Sequence, residues 1–299
     1  MNIIKVLCLF FVSCFLFSSK NAISFEIQQK KIKNAEFKEP IYRHGIQDNI
    51  FRDQFVLELF ADGDNFPFSS NEQGSVFYKV FKQLFDKEHI GIKLNYFTKG
   101  YENGFKEFET GENDIDGIFA THFEDSKYSK NKFIYPSFAE NKIHIITSVG
   151  KSINAPTKND LKTYKGVYAK DDFIPNFVLK DLSKLGVVEK NNYSEAFEAL
   201  LTDKADYVVA SFYKSQIFLY KQGLRNYVKY SVDAVWKVPL FFKLNPKKTS
   251  TSRLNELKKY IKSAEYKQIR DEALSEVLRI YEENTKGIVP PTYVKSVEN

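Results

Sequence analysis

Two segments of this chain share one pattern of apolar and polar positions. Phe108-Glu-Thr-Gly-Glu-Asn-Asp-Ile-Asp-Gly-Ile-Phe-Ala-Thr121 returns as Phe197-Glu-Ala-Leu-Leu-Thr-Asp-Lys-Ala-Asp-Tyr-Val-Val-Ala-Ser211. In each, an amphipathic helix ends, a turn follows, and an Asp precedes a short apolar strand that stops at a small or polar residue. Around the first copy the spacing predicts a strand at Phe55–Phe60, a helix from Ser75, a strand at Gly91–Phe97, a helix at Tyr101–Phe108 and a strand at Asp116–Ala120. The helix from Ser75 carries the stripe Val76, Phe77, Val80, Phe81, Leu84 and Phe85. Around the second copy it predicts a helix opening at Asp160-Leu161, strands at Lys165–Ala169 and Val187-Val188, helices at Phe177–Leu185 and Tyr193–Leu201, and a strand at Tyr207–Ala210. Each half reads β-α-β-α-β, the order of a parallel sheet covered by helices.

Strands at Lys142–Ser148 and Val238–Lys243 are expected to leave and rejoin the first half, with a hinge at Ile146–Gly150 and Val238-Pro239. A helical stretch from Thr251 to about Glu283 closes the pattern. The resulting division is a signal peptide at 1–24, an extension at 25–53, lobe 1 at 54–145 and 244–290, and lobe 2 at 146–243. Two such lobes leave a cleft between them, and a cleft suits capture of a small molecule.

Composition narrows the function. Val6 to Phe17 is an apolar run too short to span a bilayer, and Ala22-Ile23-Ser24 offers small residues for cleavage, the layout of a secretory signal peptide. An uncleaved anchor is the alternative, as is lipid attachment at Cys14, although Phe11 occupies a lipobox position that wants a small aliphatic residue. Both cysteines, Cys8 and Cys14, lie in this segment, so an exported chain has no disulfide and no cysteine metal site. The net charge of +6 falls to +4 once Lys5 and Lys20 are removed. The basic residues are interleaved with acidic ones, which gives nucleic-acid binding no support. No Gly-x-Ser-x-Gly and no His-Glu metal motif occurs, so no catalytic residue, metal or cofactor is assigned.

In the order and spacing of its motifs the stretch from Phe55 to Glu283 resembles the type 2 periplasmic solute-binding proteins, in the branch that binds polar amino acids for ABC importers. The matching elements are Phe66-Pro67-Phe68, Gly74, the run Phe108, Gly111, Asp116 and Gly117–Ala120, then Phe133 and Pro136. Lobe 2 adds Asp160-Leu161-Lys162, Gly166, Ala196–Leu200 and Asp206–Ala210. The resemblance implies an α/β fold of two lobes with two mixed, mostly parallel sheets, a ligand cleft and a two-strand hinge. It also implies a monomer that delivers a small-molecule solute to an ABC permease or presents it to a membrane receptor from the periplasm.

The departures bear on the ligand. Where that family places a Thr-Pro-x-Arg, whose guanidinium forks onto the ligand carboxylate, this chain reads Glu124-Asp-Ser-Lys-Tyr128, and Lys127 supplies at most a point charge. The family's amine-binding Asp falls at Ser211, and its Gly-Thr-Thr loop reads Ala169-Lys-Asp-Asp-Phe173. An ordinary α-amino acid is therefore not the expected ligand.

Ligands in such folds sit beyond the carboxyl ends of the strands. That selects Asp62, Asp64 and Phe66 after the first strand, Thr121 and His122 after the third, and Tyr168, Asp171, Asp172, Ser211 and Tyr213 in lobe 2. Phe66 either stacks on a ligand or packs under its loop. Asp171 and Asp172 either bind a cation or amine or remain solvated. His122 reads as a polar rim residue before a metal ligand, and Asp116 and Asp206 as turn caps. The competing functions are an enzyme drawing on Asp62, Asp64, Asp171 and Asp172, and a degenerate member that acts through a protein partner.

Overall fold

A computed structural model of the chain describes residues 55–61, 67–68, 90–96, 106–108, 115–122, 133–153, 157–172, 174–245 and 251–294. The helix expected from Ser75, together with Asp62, Asp64, Phe66, Lys127 and Phe173, lies outside them.

In lobe 1, β1 (Phe55–Ala61) pairs in parallel with β2 (Ile90–Tyr96) and with β3 (Gly117–His122). In lobe 2, β5 (Gly166–Ala169) pairs in parallel with β6 (Val188–Lys190) and with β7 (Tyr207–Ser211). Two long strands lie between these sets. β4 (Phe133–Ser148) and β9 (Trp236–Leu244) pair with each other antiparallel, β9 also pairs with β3, and β4 also pairs with β7. The expected two parallel sets are thus joined into one sheet of order β2-β1-β3-β9-β4-β7-β5-β6, with β8 (Val228–Tyr230) added to β4. β4 has 16 residues. At about 3.3 Å per residue it reaches roughly 50 Å, enough to serve both lobes. The crossing in β4 lies at Ala139–Ile143, opposite Leu240 back to Trp236, and so ahead of the expected 146–150, where β4 already pairs with β8.

Helices cover both faces of the lobe 2 sheet, which is why its strands read as unbroken apolar runs. Tyr207 and Val209 of β7 face α1 (Asn176–Lys184) through Val178 and Leu182. Val208 and Ala210 face α2 (Tyr193–Leu201) through Ala196, Phe197 and Leu200. α2 starts where Asn192 accepts the Glu195 N–H at 3.0 Å, an N-cap that satisfies one orphan donor of the first turn. Neither α3 (Phe212–Lys221) nor β8 had a sequence expectation. The closing helical stretch is two helices, α4 (Thr251–Lys262) and α5 (Ala264–Asn284). Ser263 breaks it, because its hydroxyl caps α5 by accepting the Tyr266 N–H at 3.0 Å. α4 and α5 bury Leu257, Ile261, Tyr266, Leu274 and Val277 against Leu59 and Phe119 of lobe 1 and against Leu240 and Phe242 of β9.

Candidate functional site

Strand direction sets the site. β3 runs towards the crossing and ends with His122 opposite Leu240, itself opposite Ala139. β7 runs towards the same crossing from the other side and ends with Ser211 opposite Ile143. The carboxyl ends of the two parallel sets therefore point at each other across β4 residues Ala139 to Ile143. Four residues of strand offset the two ends by roughly 13 Å along the axis, and three strand spacings separate them across the sheet by roughly 14 Å.

On the lobe 2 side Ser211 is both the end of β7 and the N-cap of α3. Its N–H donates to Asp172 Oδ2 at 2.7 Å, its hydroxyl accepts from Asn141 Nδ2 at 3.0 Å, and its carbonyl accepts from the Ser215 hydroxyl at 2.6 Å. Ser215 Oγ also lies 2.8 Å from the Tyr230 hydroxyl. Ser211, Asn141 and Ser215 are buried, so this is a polar floor under the crossing. Asp172 supplies the negative charge that the positive end of α3 favours. The Tyr193 ring lies close by; burial first, and the Asp172 carboxylate second, push its phenol well above the ordinary value. Asp172→Ala removes the acceptor for a backbone N–H at a helix start and is expected to lower stability by about 1–2 kcal/mol, whereas Asp172→Asn keeps an acceptor and costs less. Chemical denaturation of the two variants checks this order.

Tyr213, on the first turn of α3, packs its ring edge-on against Phe68 at 5.8 Å, and Phe68 belongs to the lobe 1 core. The two lobes thus touch through aromatic rings beside the crossing. Burial pushes the Tyr213 phenol up to about 12, Asp271 adds to the shift and Arg270 opposes it. Asp171 lies at the turn after β5, exposed as a residue but with its carboxyl partly desolvated, and its carbonyl accepts from Lys214 Nζ. Burial of its carboxyl raises the pKa, Lys214 lowers it and Asp172 raises it.

The other candidates are distributed as follows. Tyr168 donates to Glu189 at 2.7 Å, its cross-strand partner on β6, and burial with that contact pushes its phenol up to about 12. Thr121 stands opposite Phe241, and His122 is half-buried at the end of β3. Asp206 accepts the Lys165 N–H at 2.8 Å and Lys151 Nζ at 3.5 Å, so it fixes the turn before β7. The structure therefore brings Ser211, Tyr213, Asp171 and Asp172 together on the lobe 2 side. Sequence reasoning did not single out Asn141, Tyr193 or Tyr230 as site residues, and Phe68 entered only through the Phe66-Pro67-Phe68 match. Asn141 had a visible signal, as a polar residue beside the apolar run Ile143–Ile146.

His144 lies on β4 one step beyond the crossing. Its Nδ1 is 3.1 Å from the Ser231 carbonyl, which can only accept, so Nδ1 carries the proton. Its ring packs against Phe212 at 5.2 Å and Tyr230 at 5.9 Å. Burial depresses its pKa; the Ser231 bond opposes this, Lys142 adds to it and Asp233 opposes it. Between the lowered folded value and the ordinary value of about 6.5 the unfolded chain binds more protons, so stability falls as pH drops below about 6.5. The folded chain is expected to lose stability between pH 7 and 5, with a shallower slope in His144→Gln, as read by melting temperature against pH.

A cavity of about 480 Å³ lies elsewhere on lobe 2, between Thr147, Lys158, Leu161, Lys229, Tyr230 and Asp233. Its cations are engaged by the chain itself, Lys158 over the Trp236 ring at 4.6 Å and Lys229 with Ser152 Oγ at 3.5 Å. Among the described residues no group of His, Cys, Asp or Glu side chains is placed to hold a metal ion, and no helix is long and apolar enough to cross a membrane.

No family model and no curated protein matches this sequence. Solved structures match its architecture. An ancestral cationic amino acid solute-binding protein, AncCDT-1, is similar over 74% of this chain and 94% of its own, with TM-score 0.54 and 15% identity. In another of its structures AncCDT-1 is described as a precursor of cyclohexadienyl dehydratase. An ancestral arginine-binding protein bound to arginine is similar over 75% of this chain and 98% of its own, with TM-score 0.52 and 17% identity. The VFT2 domain of Bordetella pertussis BvgS is similar over 74% of this chain and 92% of its own, with TM-score 0.52 and 16% identity. Identities this low speak to the fold alone: the chain has the two-lobed fold of the type 2 periplasmic binding proteins.

Proposed function

We propose that this protein captures one small polar solute between its lobes, outside the cytoplasm, and hands it to a membrane importer or presents it to a receptor. The observation that carries this reading is the convergence of the ends of β3 and β7 on one crossing from opposite sides, offset by about 13 Å along the strand axis. A solute in that gap touches both lobes, and contacts made to both exist only when the lobes are close, so binding shifts the chain towards the closed form. Lobe 1 is taken as 54–145 and 244–290 and lobe 2 as 146–243. Residues 1–24 direct export of a monomer in this reading, which belongs with the polar-amino-acid branch by resemblance.

The ligand is a solute other than an ordinary α-amino acid. Ser211 stands where the resembling family has an amine-binding Asp, its hydroxyl already accepts from Asn141, and Asp172 already occupies its N–H. An added ligand carboxylate would meet Asp171 and Asp172 on that side, which disfavours it.

A thermal-shift screen tests this with the standard amino acids, amines, sugars, organic acids and short peptides as probes. A ligand at a hundred times its dissociation constant adds about 2.7 kcal/mol. For a chain of this size that raises the melting temperature by roughly four to five degrees. The expected result is a shift from a solute outside the standard amino acids. Tight binding of a standard amino acid overturns the ligand class, and no shift from any class overturns solute capture. AncCDT-1, a precursor of a dehydratase, supports a second reading as an enzyme on the same fold. Turnover of the bound solute separates that reading from capture alone.

A further inference from the structure

We infer that residues 285–294 form a strap that ties lobe 2 to the C-terminal helices on lobe 1 and restrains opening of the cleft. The two-lobed fold needs only β4 and β9 to join its halves, and the sequence pattern left 244–290 with lobe 1. The packing is different at its far end. α5 starts on lobe 1, where the Tyr266 hydroxyl donates to the Phe138 carbonyl at 2.8 Å and Arg270 Nη1 donates to the same oxygen at 3.3 Å. It then runs beside α3 of lobe 2. Ile217 of α3 shares the lobe 1 core with Leu274, Val277 and Tyr281, and Lys221 Nζ sits over the Tyr281 ring at 5.2 Å.

Past α5 the chain turns and continues onto lobe 2. Thr285 closes the helix, with its N–H and hydroxyl both donating to the Tyr281 carbonyl, and Gly287 takes φ +83° to make the turn. The backbone of Ile288 lies against Gly223, at φ +67° just after α3. A Cβ at Gly223 would stand 2.7 Å from the Ile288 carbonyl oxygen, so that close approach needs a glycine. Pro290 and Pro291 follow, and their fixed φ keeps this stretch extended. The Val294 N–H then donates to the Pro291 carbonyl at 3.1 Å, and Val294 packs against the lobe 2 core of Ile146, Phe197, Leu219, Leu224 and Val228. Tyr293 beside it is half-buried, and its phenol is raised by that burial and by Glu198 of α2.

The two crossing strands pair between the lobes at Ala139–Ile143 with Trp236–Leu240, and rotation about that line is the motion that opens such a cleft. A further passage that is anchored on lobe 1 at Tyr266 and on lobe 2 at Gly223 and Val294 resists that rotation. The lobes can part only if α5 slides along α3 or the strap comes off its seat. The strap therefore sets how far and how often the cleft opens, whatever the solute.

Spin labels test this directly. In a full chain carrying Cys8→Ser and Cys14→Ser, labels at Lys106→Cys on lobe 1 and Lys204→Cys on lobe 2 report the interlobe distance by pulsed electron resonance, without ligand. Truncation after Gly287 is expected to shift the distribution to longer distance and to broaden it. Tyr293→Ala with Val294→Ala, which leaves α5 and the chain length unchanged, is expected to shift it the same way by less. Unchanged distributions in the folded variants overturn the strap. If the truncated chain does not fold, the double substitution decides alone. The readout needs no ligand, so its failure leaves solute capture untouched.

Discussion

Phe197→Ala is expected to lower stability by about 3–5 kcal/mol, the usual cost of truncating a fully buried phenylalanine. Phe197 is completely enclosed, and its ring stacks on Tyr193 at 5.9 Å and on Phe218 at 5.5 Å. Tyr193 and Phe218 also stack on each other at 5.4 Å, so three rings hold α2 to α3 over the β7 residues Val208 and Ala210. Removing the central ring leaves a cavity that its rigid neighbours fill poorly, and stacked aromatic pairs add about 0.5–1.5 kcal/mol beyond area. Calorimetry should show a melting temperature lower by roughly five to eight degrees. A loss below about 1 kcal/mol would mean that α3 can collapse into the space. It would also weaken the case that α3 is held rigidly beside the crossing.

Gly166→Ala is expected to cost about 3 kcal/mol, the upper end of the overpacking range, although only one methyl is added. Gly166 stands directly opposite Tyr207 in the β5–β7 register. An added Cβ would lie 2.2 Å from Tyr207 Cζ and 2.4 Å from its hydroxyl oxygen, inside any tolerable contact. The tyrosine cannot move aside. It is fully buried among Leu161, Val178, Leu182 and Val209, and its hydroxyl donates to the Leu161 carbonyl at 3.4 Å. A double-mutant cycle measures this by denaturation. Gly166→Ala should cost far less in a Tyr207→Ala background, and an equal cost in both backgrounds would place the strain elsewhere.

Both positions fall in the part of the fold that was plain in the sequence. Tyr193–Leu201 has a helical stripe with an Asn cap, and Tyr207–Ala210 is a short β-branched and aromatic run fixed by Asp206, so local pattern and tertiary burial agree. The two parallel sets were legible for the same reason. Their fusion into one sheet was not, because it depends on pairings such as Ala139 with Leu240 and Ile143 with Trp236, about a hundred residues apart in sequence. The first half of β4 hid behind Pro136, Ser137, Glu140 and Asn141, which do not alternate with apolar residues. α3 hid because its buried face includes Ser215 and Gln216. Both are satisfied, Ser215 by the Ser211 carbonyl one turn back and the Tyr230 hydroxyl, and Gln216 by Arg225 Nε at 2.9 Å.

The candidate site divides in the same way. Ser211 and Tyr213 could be found from the rule that ligands sit past strand ends. Asp172 fell within reach of the same rule, but its bond to the Ser211 N–H did not, nor did the partners Asn141 and Phe68, since each contact forms only through the fold. Tyr168 satisfied the rule by position, but its side chain points to Glu189 on the neighbouring strand. Asp62, Phe66 and Lys127 lie outside the described residues.

The most direct test is a crystal structure of the full chain with the solute that gives the largest thermal shift. The account predicts density for one molecule between the end of β3 at His122 and the end of β7 at Ser211 and Tyr213, touching both lobes. Density in the lobe 2 cavity beside Lys158 and Lys229, with the space at the crossing closed, would contradict it.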